Sequence, residues 1–220
     1  VQEGCVLVDG KSFLYEHSAA LKLLGREVEV YYSDAYGVNR AVFVQPVEEG
    51  EVLTLPLEES TMIDLANNEI RYTGENGKTA YAKLLQAPYM VYNGRPIQTL
   101  PQLGSNGTII CVKGDSGQYE SLIIRDFETH VLQNIYEEGN KLQSKYAQTP
   151  LPALSEIEEY KLFDAEGNSL EPTSLQADDV LSVLRSLDGE YVEIYRTRKS
   201  IYGRIDGVQG EEEEDFLDNE

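Results

Sequence analysis

The sequence predicts an all-β fold with a minor helical part, and three observations support this. Dipeptides that favour tight hairpins recur, with Asn-Gly at 76–77, 93–94 and 106–107 and Asp-Gly at 9–10, 188–189 and 206–207. The segments between them are short and rich in Val, Ile, Thr and Tyr, as β-strands are. One strand-like pattern also occurs twice. We therefore expect two small modules that resemble β-barrels or β-sandwiches, with one or two short helices.

The repeated pattern joins residues 25–32 (GREVEVYY) to residues 189–196 (GEYVEIYR). Each copy is a glycine followed by alternating apolar and polar residues, so one set should face a core and the other set water. Glu29 and Glu193 are predicted to point to solvent. The residues predicted to point inward are Val28, Val30, Val192 and Ile194.

Two hairpins and two helices follow from local signals. The Asn76-Gly77 turn should connect strands at 69–73 and 78–83, and the glycine-rich residues 114–117 should connect strands at 108–113 and 118–124. Residues 128–137 read as an extended strand. Residues 14–24 are apolar and end before Gly25, which favours a short helix. Residues 176–184 favour a second one.

The domain organisation predicted from these elements has three parts. Residues 1–128 form a β-rich module with a short helix near 14–24, and residues 129–208 form a smaller barrel-like module. Residues 209–220 carry a run of acids and are predicted to be a disordered tail. The chain begins at Val1 without a signal peptide, which fits an excised or mature fragment.

Composition limits the partners. The net charge is −21, from 39 acidic and 18 basic residues. This charge disfavours sequence-independent binding to nucleic acid or anionic lipid, because both require a basic protein surface. No apolar run is long enough to insert into a membrane. The two cysteines, Cys5 and Cys111, make neither a disulfide framework nor a zinc site. Each cysteine lies in an apolar, strand-like run, so we expect two buried free thiols, and a single disulfide only if their strands are neighbours.

No pattern predicts catalysis. The two histidines, His17 and His130, belong to no spaced ligand set, and the chain lacks a nucleophile elbow and a phosphate-binding glycine loop. We therefore expect no enzyme activity, no cofactor and no metal site. With 39 acids, a pair of carboxylates suited to glycoside hydrolysis has little specificity. Such an enzyme would still require a cleft holding two acids.

Fifteen tyrosines beside no tryptophan are the remaining unusual feature. Most should pack between strands with the hydroxyl at the surface. The alternative is a platform that holds a glycan or a partner protein, and its candidate residues are Tyr31, Tyr32 and Tyr195. That reading requires several rings exposed on one face or in one groove.

Several blocks resemble a known family. Residues 185–208 (RSLDGEYVEIYRTRKSIYGRIDGV), 23–33 (LLGREVEVYYS) and 107–132 (GTIICVKGDSGQYESLIIRDFETHVL) are similar, in order and spacing, to the repetitive β-rich region of clostridial-type surface proteins that carry S-layer homology domains. Similar segments occur in proteins of phages that infect such bacteria. The resemblance implies an extracellular location at the cell wall or surface, or alternatively in a phage virion.

The resemblance also implies a function. In that family, a loop rich in aspartate that could hold calcium precedes one strand. The matching residues 113–120 of this chain offer only Lys113, Asp115 and Glu120, too few oxygen ligands for a calcium site. The expected function is a non-catalytic spacer in a surface layer or virion, with neighbouring protein domains or copies as partners. The alternative is a β module that binds cell-wall glycan or protein through tyrosines.

Overall fold

The computed structural model describes residues 3–16, 23–24, 26–34, 37–46, 51–58, 60–114, 116–146, 150–151 and 153–204. Their structure is mostly β-strand, which confirms the all-β prediction. The strands are β1 Glu3–Val8, β2 Lys11–Glu16, β3 Val28–Ser33, β4 Arg40–Pro46, β5 Val52–Leu57, β6 Met62–Asp64, β7 Glu69–Thr73, β8 Thr79–Tyr92, β9 Arg95–Ile97, β10 Gly107–Lys113, β11 Tyr119–Tyr136, β12 Lys141–Ser144, β13 Glu159–Phe163, β14 Val180–Arg185 and β15 Tyr191–Thr197. Short 3-10 turns occur at Glu137–Gly139, Leu154–Glu156 and Pro172–Ser174.

A small four-stranded sheet is formed by the start of the chain. Its order is β1-β2-β4-β3, with antiparallel pairs at both edges and a parallel contact between β2 and β4. Only Phe13 and Ala41 are buried among its described side chains. Several large apolar side chains stay exposed, namely Leu7, Tyr31, Tyr32, Val42 and Phe43. This sheet therefore buries little apolar surface of its own.

The large sheet contains eleven strands, and β11 organises it. At its amino-terminal part β11 pairs with β10 and, in parallel, with β8, and at its carboxyl-terminal part it pairs with β14 and β12. The main path runs β13-β15-β14-β11-β8-β7-β6. An 18-residue strand spans about 60 Å. It therefore connects the two ends of this sheet without a linker.

Two hydrophobic cores lie along β11. The first core includes Leu84, Ile109, Leu122 and Ile124, each at most 1% exposed, together with side chains from β5, β7 and β8. The second is built from β11, β12, β13, β14 and β15 and from the turns between them. Its members are Leu132, Leu142, Leu154, Ile157, Leu162, Leu175, Leu181, Val183, Val192 and Ile194. The predicted module boundary at residue 128 falls between the two cores, yet inside β11.

A buried asparagine joins the parts of the large sheet. Asn93 lies in the turn between β8 and β9 at a φ of +46° and is 2% exposed. Its amide nitrogen donates to the carbonyl oxygens of Asp126 (3.0 Å) and Arg185 (2.8 Å), and its side-chain oxygen accepts from the Asp126 backbone N–H at 2.8 Å. The next residue, Gly94, packs so tightly that a Cβ there would lie 2.5 Å from the Tyr191 ring. This turn therefore fastens β11, β14 and β15 together.

Both predicted hairpins are confirmed. β7 and β8 pair in antiparallel register around Asn76-Gly77, and β10 and β11 do so around the glycine-rich turn. Residues 128–136 are extended, as predicted, as part of β11.

The two helix predictions are wrong where the structure describes the chain. Residues 14–16 belong to β2, and residues 17–22 lie outside the described residues. Residues 180–184 belong to β14, where Leu181 and Val183 enter the second core. A short apolar run has no periodicity that separates a strand from a helix, and here the neighbouring strands decide. The predicted tail at 209–220 also lies outside the described residues.

Candidate binding groove

A groove of about 550 Å³ lies on the face of the large sheet that points away from the two cores. Strand alternation places it there: Ile110 pairs with Ile123 and lines the groove, whereas the adjacent pair of Ile109 and Ile124 enters the first core. Six strands, β5, β10, β11, β14, β15 and β13, supply most of the surface. The lining residues are Arg26, Val52, Thr54, Gly94, Ile110, Val112, Ile123, Arg125, Lys161, Phe163, Leu184, Glu193 and Tyr195.

Glu193 is the polar centre of the groove. Its carboxylate accepts hydrogen bonds from the hydroxyl of Tyr191, from the hydroxyl of Tyr195 at 2.8 Å and from Arg125 Nη2 at 3.0 Å. Arg125 Nη2 also donates to the Tyr195 hydroxyl oxygen at 2.8 Å. The Glu193 side chain is only 13% exposed, so the prediction that it points to water is wrong. The face opposite the core is itself covered at this position.

Aromatic rings form one wall beside this centre. Tyr195 stacks on Phe163 with ring centroids 5.3 Å apart and meets Phe127 edge-on at 6.0 Å. The Arg125 guanidinium lies over the rings of Phe127 and Tyr195, at 5.2 and 5.5 Å from their centroids. Such cation–π contacts are stronger where water is partly excluded. The guanidinium is thereby fixed by both a carboxylate and two rings.

Burial and charge keep the tyrosine hydroxyls protonated. Burial first, and the Glu193 carboxylate second, raise the pKa of Tyr191 and of Tyr195 above their usual value. A phenol whose pKa is raised is a hydrogen-bond donor at neutral pH, and it is a poor base or nucleophile. The groove can therefore hold a ligand by hydrogen bonds and ring contacts.

Positive charge predominates among the lining residues. Arg26, Arg125 and Lys161 face one carboxylate, Glu193. Lys161 Nζ also lies 3.6 Å from the carboxylate of Glu159, earlier in the same strand. Arg26 forms no ion pair with a described residue. Its Nε atom is buried and has no hydrogen-bond partner among the described residues. In a chain with a net charge of −21, this composition is a local exception.

The structure separates the three tyrosines predicted to bind a partner. Tyr195 lines the groove, whereas Tyr31 and Tyr32 lie on β3 in the small sheet and do not line it. Tyr31 is 49% exposed and lies beside Phe43, while Tyr32 meets Phe13 edge-on and its hydroxyl accepts from Lys11 Nζ at 2.6 Å. No shared platform of these three rings is formed.

Apart from Tyr195, the residues that build the groove are not predicted by the sequence, because their neighbours come from distant parts of the chain. Arg125, Lys161, Phe163 and Glu193 meet only through the pairing of β11, β14, β15 and β13. The one available signal is the alternation of side chains along β15, which places Glu193 on the same face of the strand as Tyr191 and Tyr195. This alternation does not indicate that the face is partly buried.

Other predicted features are placed as follows. Both cysteines are free, as predicted, and Cys111 is buried. The prediction that Cys5 is buried is wrong, because Cys5 lies on β1 of the small sheet, which buries few side chains. Burial raises the pKa of the Cys111 thiol to about 12. His130 is 1% exposed, and His17 and Asp115 lie outside the described residues. Across the described ranges, no group of three or more His, Cys, Asp or Glu side chains is placed to hold a metal ion.

Comparisons with known proteins place the chain in no family. No family model, no curated protein and no solved structure matches it. Within the described part of the chain, no helix is long and apolar enough to cross a membrane.

Proposed function

We propose that this chain is a non-catalytic structural spacer of a large extracellular assembly, either a bacterial surface layer or a virion. The observation that carries the proposal is β11, which contributes Leu122 and Ile124 to the first core and Leu132 to the second. A spacer must keep its two ends at a fixed separation. A continuous strand that contributes side chains to both cores does this better than a flexible linker, because bending it would disrupt both cores.

The chemistry of the described residues favours this role over catalysis. The groove lining contains one carboxylate, Glu193, and three donors already occupy it. Glycoside hydrolysis needs two carboxyl groups across the scissile bond. The buried Cys111 thiol, with its raised pKa, is a poor nucleophile. The acidic surface keeps a repeated extracellular protein soluble and dispersed before it assembles.

Immunogold labelling of the source cells and of purified virions tests the proposal. An antibody raised against the whole chain should label the cell surface or the particle. Labelling confined to the cytoplasm would contradict the extracellular location. Turnover of cell-wall substrates by the purified chain, lost in the Glu193→Gln variant, would contradict the non-catalytic role.

A second candidate function is a binding module for glycan, favoured by the groove itself. The stacked rings of Phe163 and Tyr195 are partly exposed beside fixed hydrogen-bonding groups, an arrangement that suits the apolar face and hydroxyls of a sugar. A glycan array tests it. The wild type should bind and the Tyr195→Ala variant should not, while Tyr160→Ala, an exposed tyrosine on the other face of β13, should bind normally. Absence of wild-type binding would remove this candidate.

A further inference from the structure

We propose that the groove holds the chain's own acidic segment, residues 211–220 (EEEEDFLDNE), with Phe216 seated against the apolar lining. This inference goes beyond the spacer role and does not depend on glycan binding. It gives the groove an occupant within the same molecule. A segment too acidic to build a core can still bind where a complementary surface is provided.

Charge complementarity is the first argument. The segment carries seven acids in ten residues, and the groove lining carries three cations and one carboxylate. Glu193 is occupied by Arg125 and Lys161 lies near Glu159, so Arg26 is the cation without an ion pair among the described residues. An acidic ligand placed beside Arg26 would supply the missing partner. Elsewhere the strongly acidic surface of this chain should repel the segment.

The shape of the groove is the second argument. A volume of about 550 Å³ accommodates one or two large side chains, and small-ligand sites fall in this size range. Phe216 and Leu217 are the only large apolar residues of the segment. The lining around Ile110, Ile123 and Phe163 gives an aromatic ring an apolar surface, while the flanking acids stay near the cations.

The covalent connection is the third argument. Tyr195, which lines the groove, lies two residues before the end of β15, and the described chain continues to Arg204. Phe216 lies twelve positions after Arg204, a reach of up to about 40 Å when extended. A short tether holds the segment at an effective concentration in the millimolar range. Even a weak contact is then populated within one molecule.

Paramagnetic relaxation in the full-length chain tests the proposal. A nitroxide is attached at Asn219→Cys in a Cys5→Ser background, so that the buried Cys111 stays unlabelled. The methyl resonances of Ile110, Ile123 and Leu184 should broaden at low salt and recover near 1 M salt, where screening is strong. Methyl groups of the cores, which face away from the groove, should broaden less.

Matched variants separate docking from general charge effects. Arg26→Glu with Lys161→Glu should lower the docking equilibrium constant about tenfold, because two positive side chains of the lining become negative and repel the acidic segment. Phe216→Ser should weaken docking without changing the charge. Lys78→Glu, in an exposed turn away from the groove, should leave the broadening unchanged.

Three results would overturn the proposal. The first is the absence of broadening in the wild type at low salt. The second is equal loss in Lys78→Glu and in the groove variants. The third is broadening that appears only when a spin-labelled chain is mixed with an isotope-labelled chain, since the segment would then bind a second copy and not its own groove.

Discussion

The two copies of the repeated strand, β3 and β15, share a sequence pattern and differ in environment. In β15, Val192 and Ile194 are each 1% exposed, and Glu193 is held by Arg125 and two tyrosines. In β3, the matching valines are half-buried and Glu29 is exposed, accepting from Gln45 at 2.8 Å. The pattern is therefore a strand-forming signal, and it does not by itself determine burial.

The neighbours explain the difference. β15 lies between β13 and β14, so both of its edges are paired, and the second core covers one of its faces. β3 is an edge strand that pairs only with β4 in the small sheet. Edge strands leave backbone groups unpaired and bury less side-chain surface. Stability should therefore be concentrated around β15 and be low around β3.

The largest expected difference between the copies concerns their apolar residues. Ile194→Ala should lower the free energy of unfolding by about 2–5 kcal/mol, because it leaves a cavity in a packed core. Val30→Ala should cost less than about 1 kcal/mol, because a half-buried site loses little contact. Urea denaturation of both variants measures this. Equal losses would show that the two strands are equivalent after all.

The turn that packs on β15 gives the next effect. Asn93→Ala removes three buried hydrogen bonds to β11 and Arg185, and we expect a loss of about 2–3 kcal/mol in the free energy of unfolding. Asn76→Ala is the matched control, since Asn76 occupies an exposed Asn-Gly turn and bonds only to the nearby Lys78 backbone. A loss as large in Asn76→Ala would mean that turn geometry, and not the fastening of strands, sets the cost.

The two glutamates give a smaller effect. Glu193→Gln keeps the shape of the side chain but removes the negative charge that binds Arg125. The free energy of unfolding should therefore fall by about 1 kcal/mol, and the loss is no larger because solvent screens the partly exposed Arg125. Glu29→Gln should leave stability unchanged within error. Thermal unfolding at low and high salt checks both. A salt-independent effect of Glu193→Gln would argue against an ionic origin.

The smallest expected effect is a dependence on pH that belongs to the large sheet. Burial lowers the pKa of His130 on β11, and the positive charge of Arg185 lowers it further. Glu128 acts in the opposite direction, because its carboxylate Oε2 lies 3.4 Å from Nε2 of His130. A lowered pKa in the folded state means that the unfolded chain binds the proton more readily. This contribution to stability is complete above about pH 6.5 and declines as the pH falls below it.

The His130→Leu variant isolates this titration from that of the carboxylates. The difference in urea midpoint between wild type and variant should shift against the wild type between pH 7 and pH 5. A difference that is constant over this range would show that His130 does not titrate differently in the folded and unfolded states.

The strands and hairpins were predictable because their signals are local. The turns around Asn76-Gly77 and Gly114–Gly117 need particular backbone angles that a dipeptide reveals. The strand at 180–185 was not predictable in this way, because Leu181 and Val183 fit a helix as well until β11 and β15 pair with them. The groove depends on the same distant pairing, so Arg125 and Lys161 carry no signal in sequence.

Native-state hydrogen exchange of β11 tests most directly whether one rigid unit contains both cores. We predict that protected amides on both sides of Glu128, such as those of Ile124 and Leu132, exchange with the same free energy of opening, near the global value. Amides of β3 should exchange with a much lower one. Two distinct opening energies along β11, separated near residue 128, would contradict the account and indicate two independent modules.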